Sequence, residues 1–280
     1  MASQTSLIAG VGQLGGDIAA GLLRAGHRVV GINRSGKSAI AGISMVAADL
    51  MQPLSRSVLN QLPAPDNVII ALAPGSRDPQ IYEKTYREGV RHLITGLGGS
   101  VGRLLYVSST VVYAQNAGEW VNEDSAVSAH NLRAKVQLEC EQLAADAAES
   151  SIILRLGGIY GPGREALLRR VRARTPVITR PAHFSNRISH LDAAEMAIYL
   201  LQRRTAEGVF LGVDNEPAPM HEVCQWLAER MGMGPLLQET KSGTAANSGK
   251  RVSNQRVLES GFQLAFPTFR EGYSALLSGG

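Results

Sequence analysis

The chain has 280 residues, 44% of them apolar, and a formal net charge of +4, which bounds it to one large or two modest domains with a substantial core. Its two cysteines, Cys140 and Cys224, lie far apart in helix-like stretches, which argues against a disulfide framework or a zinc site and fits a reducing compartment. No apolar run reaches the roughly 18 residues of a membrane span, and the N-terminus lacks the basic and apolar blocks of a secretion signal, so a soluble cytoplasmic protein without a membrane partner is expected.

The strongest signal comes first. A short apolar run, Leu7-Ile8-Ala9, meets Gly10-Val11-Gly12-Gln13-Leu14-Gly15, and a helical pattern follows through Ile18, Leu22 and Leu23. This is G-x-G-x-x-G placed after a strand and opening a helix, the context in which it binds a dinucleotide. Gly10 permits the tight turn, Gly12 lets the backbone approach a pyrophosphate, and Gly15 lets the helix pack close to the strand. The N–H groups at the helix start, where Gln13 and Leu14 stand, face the anion.

His27–Asn33 reads as a second strand after a helix ending near Gly26, Ile43–Ala47 as a third, and Asn67–Ala73 as a fourth, stopped by Pro74-Gly75. Residues 79–97 have helical spacing, and Arg103–Ser108 is a fifth strand. Asn131–Ala148 reads as a long helix with Leu132, Val136, Leu143 and Ala147 on its buried side, and Ser151–Leu156 as a sixth strand. This alternation predicts an α/β fold with a doubly wound parallel sheet of Rossmann type over residues 1–156. Gly12, Arg34, Ala71 and Ser109 fall at the carboxyl ends of its strands, where such sheets bind ligands.

Beyond Gly163 the pattern is less regular. Helices are expected at Glu165–Arg174, at Asp192–Arg203 with Asp192 as the N-cap, at Pro219–Met231 and at Phe269–Leu277. A strand is expected at Gly208–Val213 and a mobile polar loop at Thr240–Lys250. Residues 157–280 are read as a smaller α+β substrate region, some segments of which return to the first domain.

Two charge features bear on ligands. At the end of the second strand stands Asn33-Arg34-Ser35, without the acid that usually binds an NAD ribose. Arg34 and Ser35 instead offer donors to a 2′-phosphate, which favours NADP over NAD. Between Arg164 and Arg187 lie seven arginines against one acid, Glu165. They suit either a solvated helix face or a phosphorylated small molecule; without interleaved aromatics or a known module, nucleic acid is not the expected partner.

The glycine motif, Leu105–Tyr113 (LYVSSTVVY), Leu154–Gly163 (LRLGGIYGPG), His190-Leu191-Asp192 and Lys250–Leu258 (KRVSNQRVL), with Gly261 and Pro267, together resemble the extended short-chain dehydrogenase/reductases, also called NAD(P)-dependent epimerase/dehydratases. The resemblance implies cofactor contacts from Asp49 and Leu50 at the adenine, from Ala71, Leu72 and Ala73 after the fourth strand, and from Tyr160. It implies redox or epimerase-like chemistry on a small carbonyl or hydroxyl compound, such as a nucleotide sugar, with no metal. Arg164, Arg187 and His190 would then face the substrate, the arginines clamping a diphosphate. Relatives often form homodimers through helices that include the Asn131–Ala148 one.

In that family a Tyr moves the proton, a Lys four residues later lowers the Tyr pKa and holds the ribose, and a Ser or Thr bonds the substrate oxygen. Here Ser109 and Lys135 match, but the Tyr position falls on Asn131, which cannot act as a base. Thr110 and Val111 replace the acidic pair of the dehydratases, so a sugar 4,6-dehydratase is not expected. Three accounts of Asn131 stay open: another proton carrier (Tyr113, Tyr160, His130 or His190), altered chemistry, or nucleotide binding without turnover.

Overall fold

Continuous apolar runs become the buried strands of a seven-stranded sheet. In the computed structural model, which describes residues 4–99, 101–240 and 245–279, β1 (Thr5–Ala9) is followed by α1 (Gln13–Arg24), β2 (Arg28–Asn33), β3 (Ser44–Ala47) and a single-turn α2 (Arg56–Leu59). β4 (Asn67–Ile70) leads through α3 (Pro79–Glu83), a π turn at Lys84–Glu88 and α4 (Gly89–Gly96) to β5 (Val101–Ser109). A 3-10 turn at Thr110–Val112 precedes β6 (Trp120–Val121), α5 (Leu132–Asp146), β7 (Ala148–Leu156), β8 (Gly158–Tyr160) and α6 (Ala166–Arg172). Then come β9 (Val177–Arg180), β10 (Ala182–Ser185), β11 (Arg187–Ser189), α7 (His190–Gln202), β12 (Gly208–Gly212), β13 (Ala218–Pro219) and α8 (Met220–Arg230). β14 (Gln238–Thr240), β15 (Asn247–Gly249), β16 (Arg251–Val252), α9 (Gln255–Glu259) and α10 (Phe269–Ser278) end the chain.

The strands lie in the order β12-β7-β5-β4-β1-β2-β3, and those from β3 to β5 pair in parallel. Chain order reverses between β1 and β4, so the loops after these two strands flank the switch-point crevice of a doubly wound sheet. Leu7, Ile8, Ala9, Ile69 and Ile70 are fully buried because helices cover both sheet faces.

The chain divides into two compact units of several segments each: Met1–Val112, Val127–Arg155 and Ala194–Phe210, against Tyr113–Ala126, Leu156–Ala193 and Leu211–Gly280. It therefore passes from one unit to the other repeatedly, rather than once near residue 156. In the second unit, Val223, Cys224 and Leu227 of α8 pack with Tyr160, Leu168, Val171, Val177, Phe269 and Tyr273.

Three local expectations change. Leu132 is 40% exposed; the buried stripe of α5 is Ala134, Val136, Gln137, Cys140, Glu141 and Ala144. Two of these are polar yet buried because each has partners inside. Asp192 lies in the first turn of α7, where its carboxylate accepts from the N–H groups of Ala265 and Phe266. The hydroxyl of Ser189 serves the helix start instead, accepting from the N–H groups of Leu191 and Asp192. In the stretch expected as a mobile loop, Asn247–Gly249 forms β15 and pairs in parallel with β10; residues 241–244 of that stretch lie outside the described residues.

Candidate functional site

The turn between β1 and α1 is built from glycines for steric reasons that can be read atom by atom. Gly10 has φ +95°, and a Cβ there would lie 2.5 Å from the Ala71 carbonyl oxygen, against the end of β4. A Cβ on Gly15 would lie 2.1 Å from the Gly10 carbonyl oxygen, so only glycine lets α1 start this close to the turn. Above Gly12, by contrast, a Cβ would meet nothing within 4 Å. Gly12 is the N-cap of α1; no side chain caps the helix and no acid stands in its first turn. Its amino end is therefore an open, positively polarised site for a phosphate group.

A crevice of about 230 Å³ in the first unit runs from this turn. It is lined by Gly10 and Gly12, by Asn33 and Arg34 after β2, by Asp49 and Leu50 after β3, and by Ala71, Leu72 and Ala73 after β4. The sequence places all nine of these at a cofactor. Val11, Ile32, Ala48, Met51, Pro74 and Thr85 also line it; all but Thr85 adjoin the nine, and no motif marks them. Gln13 begins α1, Leu14 is buried, and Ser35 bonds the Asn33 side chain, so these three support the crevice without lining it.

The roles at the distal wall differ. The Asn33 side-chain oxygen accepts from the Gly36 N–H at 2.7 Å while its amide donates to the Lys37 carbonyl at 2.8 Å, which locks the turn. Arg34 is exposed on that turn. Asp49 accepts from the Met51 N–H at 3.0 Å, closing its own turn. The residues fit a dinucleotide: a glycine cradle, an uncapped helix start, an apolar slot and an arginine at the far end.

At the end of β5, the Ser109 hydroxyl accepts from the Val111 N–H at 3.2 Å, which starts the 3-10 turn. Asn131 is the N-cap of α5, and its side-chain oxygen accepts from the Ala134 N–H at 2.9 Å. Lys135 is exposed. It stands two residues before buried Gln137, about 200° around the helix, and so points away from the sheet.

The inward face of α5 carries two polar residues, Gln137 and Glu141, one turn apart. The Gln137 side-chain oxygen accepts from the Tyr106 hydroxyl at 2.8 Å, and its amide donates to the Tyr82 hydroxyl at 2.9 Å. Glu141 takes a two-pronged ion pair from Arg155 at 3.0 and 2.7 Å and a 2.5 Å hydrogen bond from Ser108. The Arg133 guanidinium lies 5.5 Å from the centre of the Tyr82 ring. Sequence reading missed this buried polar pair, although Gln137 and Glu141 stand at the four-residue spacing that could have marked it.

The remaining candidates belong to the second unit or to the approach to α5. Tyr113 is 1% exposed, and Lys250, whose amine burial holds below its ordinary pKa, donates to its carbonyl at 2.8 Å. Tyr160 is buried and stacked 4.2 Å from the Tyr273 ring, with its hydroxyl against Gly272; burial pushes its phenol far above the ordinary value. Arg187 is 4% exposed, donates to the Ser185 hydroxyl at 2.7 Å and sits beside the buried Asp214 carboxyl. It therefore occupies the core of its unit. Arg164 follows β8, its N–H bonded to the Gly161 carbonyl. His190 packs its ring against Gly161. His130 is exposed and its ring nitrogen bonds the Ser128 carbonyl at 3.0 Å.

Known proteins resemble the chain over most of its length. The profile of the NAD dependent epimerase/dehydratase family matches residues 6–201. The 2-alkyl-3-oxoalkanoate reductase of Stenotrophomonas maltophilia (strain K279a) is 29% identical over 248 residues, covering 80% of this chain and 74% of that protein. A 3-diazoavenalumate denitrifying reductase from a Streptomyces species is 28% identical over 257 residues, covering 82% of each. A provisionally named NAD-dependent epimerase/dehydratase from Methylobacillus flagellatus has a structure similar at TM-score 0.80 and 34% identity, over 99% of this chain and 98% of that one.

Proposed function

The chain belongs to the NAD-dependent epimerase/dehydratase family, and on that premise we propose that it is an NADPH-dependent reductase of a small carbonyl compound. The observation that carries the cofactor preference is Arg34, exposed on the crevice wall at the end of β2 with no acid beside it on that turn. A guanidinium there offers a planar set of donors to a 2′-phosphate, whereas a carboxylate would repel it. The names of both curated relatives describe reductases acting on carboxylic acids, which favours a small oxo acid over a nucleotide sugar as substrate.

The groups divide the work as follows. The amide N–H groups of the Gly12–Leu14 turn hold the pyrophosphate, the apolar wall of Leu50, Ala71 and Leu72 takes the adenine side, and Arg34 takes the 2′-phosphate. NADPH, when bound, supplies the hydride. Ser109 donates a hydrogen bond to the substrate carbonyl, stabilising the negative charge that develops on that oxygen as hydride adds to its carbon, and water supplies the proton that completes the alcohol. Asn131 takes no proton, because its side chain caps α5.

Titration with NADPH and with NADH tests the reading. The wild type binds NADPH more tightly, and Arg34→Ala weakens NADPH by about ten- to a hundredfold, the weight of a charge-assisted hydrogen bond, leaving NADH unchanged. Absence of binding to both cofactors overturns it. A second reading, a cofactor-binding protein without turnover, is favoured by the capping role of Asn131. Turnover that is lost in Ser109→Ala excludes it.

A further inference from the structure

We propose that the second unit carries a binding site of its own for a small organic anion, an acidic head on an apolar body, with Arg170 as the group that grips the head. The site is a cavity of about 340 Å³ walled by α6, β9, β10, β15 and the start of α8. Its polar lining is Arg170, His183, His221 and Ser248, and among the described residues no carboxylate lines it. Val177, Pro181 and Met220 make the apolar wall. All of these residues belong to the second unit.

The wall is set by packing and by strand register. Leu168 and Val171 of α6 are buried with Val223 and Cys224 of α8 in the core of the unit, and Val177 of β9 joins them. β10 pairs in parallel with β15, which puts His183 opposite Ser248, its Nδ1 3.1 Å from the hydroxyl. Two polar atoms of this lining, Arg170 Nε and His221 Nδ1, are buried with no hydrogen-bond partner among the described residues. Buried polar atoms left unpaired are costly and rare, and two on one small cavity mark it as a place where a ligand completes the bonding. Other arginines of the basic stretch are occupied. Arg172 pairs with Glu165, Arg174 donates to the Met233 and Pro235 carbonyls, and Arg187 donates to Ser185. The one hydrogen bond of Arg170 among the described residues is a 3.3 Å donation to the Pro176 carbonyl.

This lining suits negative charge. A guanidinium stays charged at working pH and meets a carboxylate or a phosphate with paired donors. The imidazoles and the Ser248 hydroxyl add further donors. Burial and the nearby Lys250 ammonium hold His183 below its ordinary pKa, and a bound anion acts in the opposite sense. A cavity of roughly 150 Å³ takes benzene, so this one has room for a single ring beside its head group. The site goes beyond the reductase reading and does not depend on it.

The test uses the full-length protein, first without NADPH and then saturated with it. Calorimetry follows phenyl phosphate and benzoate, with benzyl alcohol as the neutral control, in wild type, Arg170→Met, Arg170→Lys and Arg169→Met. The last removes an exposed charge one residue away. We expect at least one of the two anions to bind, the pair telling a phosphate head from a carboxylate. Arg170→Met should weaken that binding about thirtyfold, within the range of a hydrogen bond to a charged group. Arg170→Lys should recover part of the loss, and Arg169→Met should behave as wild type. Proton NMR of the wild type gives a readout that does not need a folded variant. The bound anion should shift the ring signals of His183 and His221 and leave those of His27, His92 and His130, in the first unit, in place. The inference is overturned if neither anion binds, if benzyl alcohol binds as well as they do, if NADPH displaces them, if the His183 and His221 signals stay fixed, or if a folded Arg170→Met binds as wild type does. Anion binding by a protein that fails to take NADPH upholds this site while removing the reductase reading.

Discussion

Gly10 shows how one missing methyl group shapes the crevice. Its φ of +95° is open to glycine, and the Ala71 carbonyl occupies the space a side chain would need. Gly10→Ala should cost about 1–2 kcal/mol from the backbone conformation alone, and more once Ala71 is displaced. The measurable result is a lower urea midpoint together with loss of NADPH binding. Asn131 gives the opposite case, a residue whose work is purely local. Asn131→Ala should lower stability by about 1 kcal/mol through loss of the cap, Asn131→Ser should be close to neutral, and neither should alter NADPH affinity in a fluorescence titration. Its capping role was readable in principle, because an Asn three residues before Ala134 and ahead of a helical run is a start signal. The family likeness drew attention to its missing phenol instead.

Among the elements, α5 is the one whose sequence pattern misleads. Counting apolar residues turns the helix toward Leu132 and Leu143, whereas Gln137 and Glu141 face inward with their partners on β5, β7 and α3. Partners that lie on other elements cannot be seen from a single stretch, so a buried ion pair reads as a solvated face. Glu141→Ala should be severe, about 3–5 kcal/mol, because it strands the Arg155 charge inside the sheet-helix interface. A urea unfolding curve measures this, and the double variant Glu141→Leu with Arg155→Leu should recover much of the loss. The βαβ opening is the contrary case. There glycine spacing, strand and helix lie within the twenty residues 5–24, and nine of the expected cofactor positions line one crevice. Local geometry was legible where the chain itself closes the site.

At the scale of the whole molecule, the sheet was legible because parallel strands buried on both faces announce themselves as apolar runs. The second unit was less so. Its strands β8 to β11 and β13 to β16 are two to four residues long, too short to show a period. Its core also holds charge. Burial pushes the Asp214 carboxyl up to about 7 despite the neighbouring Arg187 guanidinium. A carboxyl with a raised folded pKa keeps its proton in the folded state after the unfolded chain has lost it, so this group's contribution to stability is largest below about pH 4 and declines as pH rises to about 7. The stability of wild type relative to Asp214→Asn should therefore fall between pH 4.5 and 7, roughly, and level off above, as urea midpoints at several pH values would show.

The repeated passage of the chain between its two units has a consequence for synthesis on the ribosome. β12 borders β7 in the sheet, yet β12 spans Gly208–Gly212, more than fifty residues after β7 ends at Leu156. While those intervening residues are being translated, the nascent sheet presents β7 as a bare edge, the kind of surface that invites pairing with a foreign strand. A polypeptide halted near residue 160 would hold every residue of the dinucleotide crevice and still be a liability to the cell.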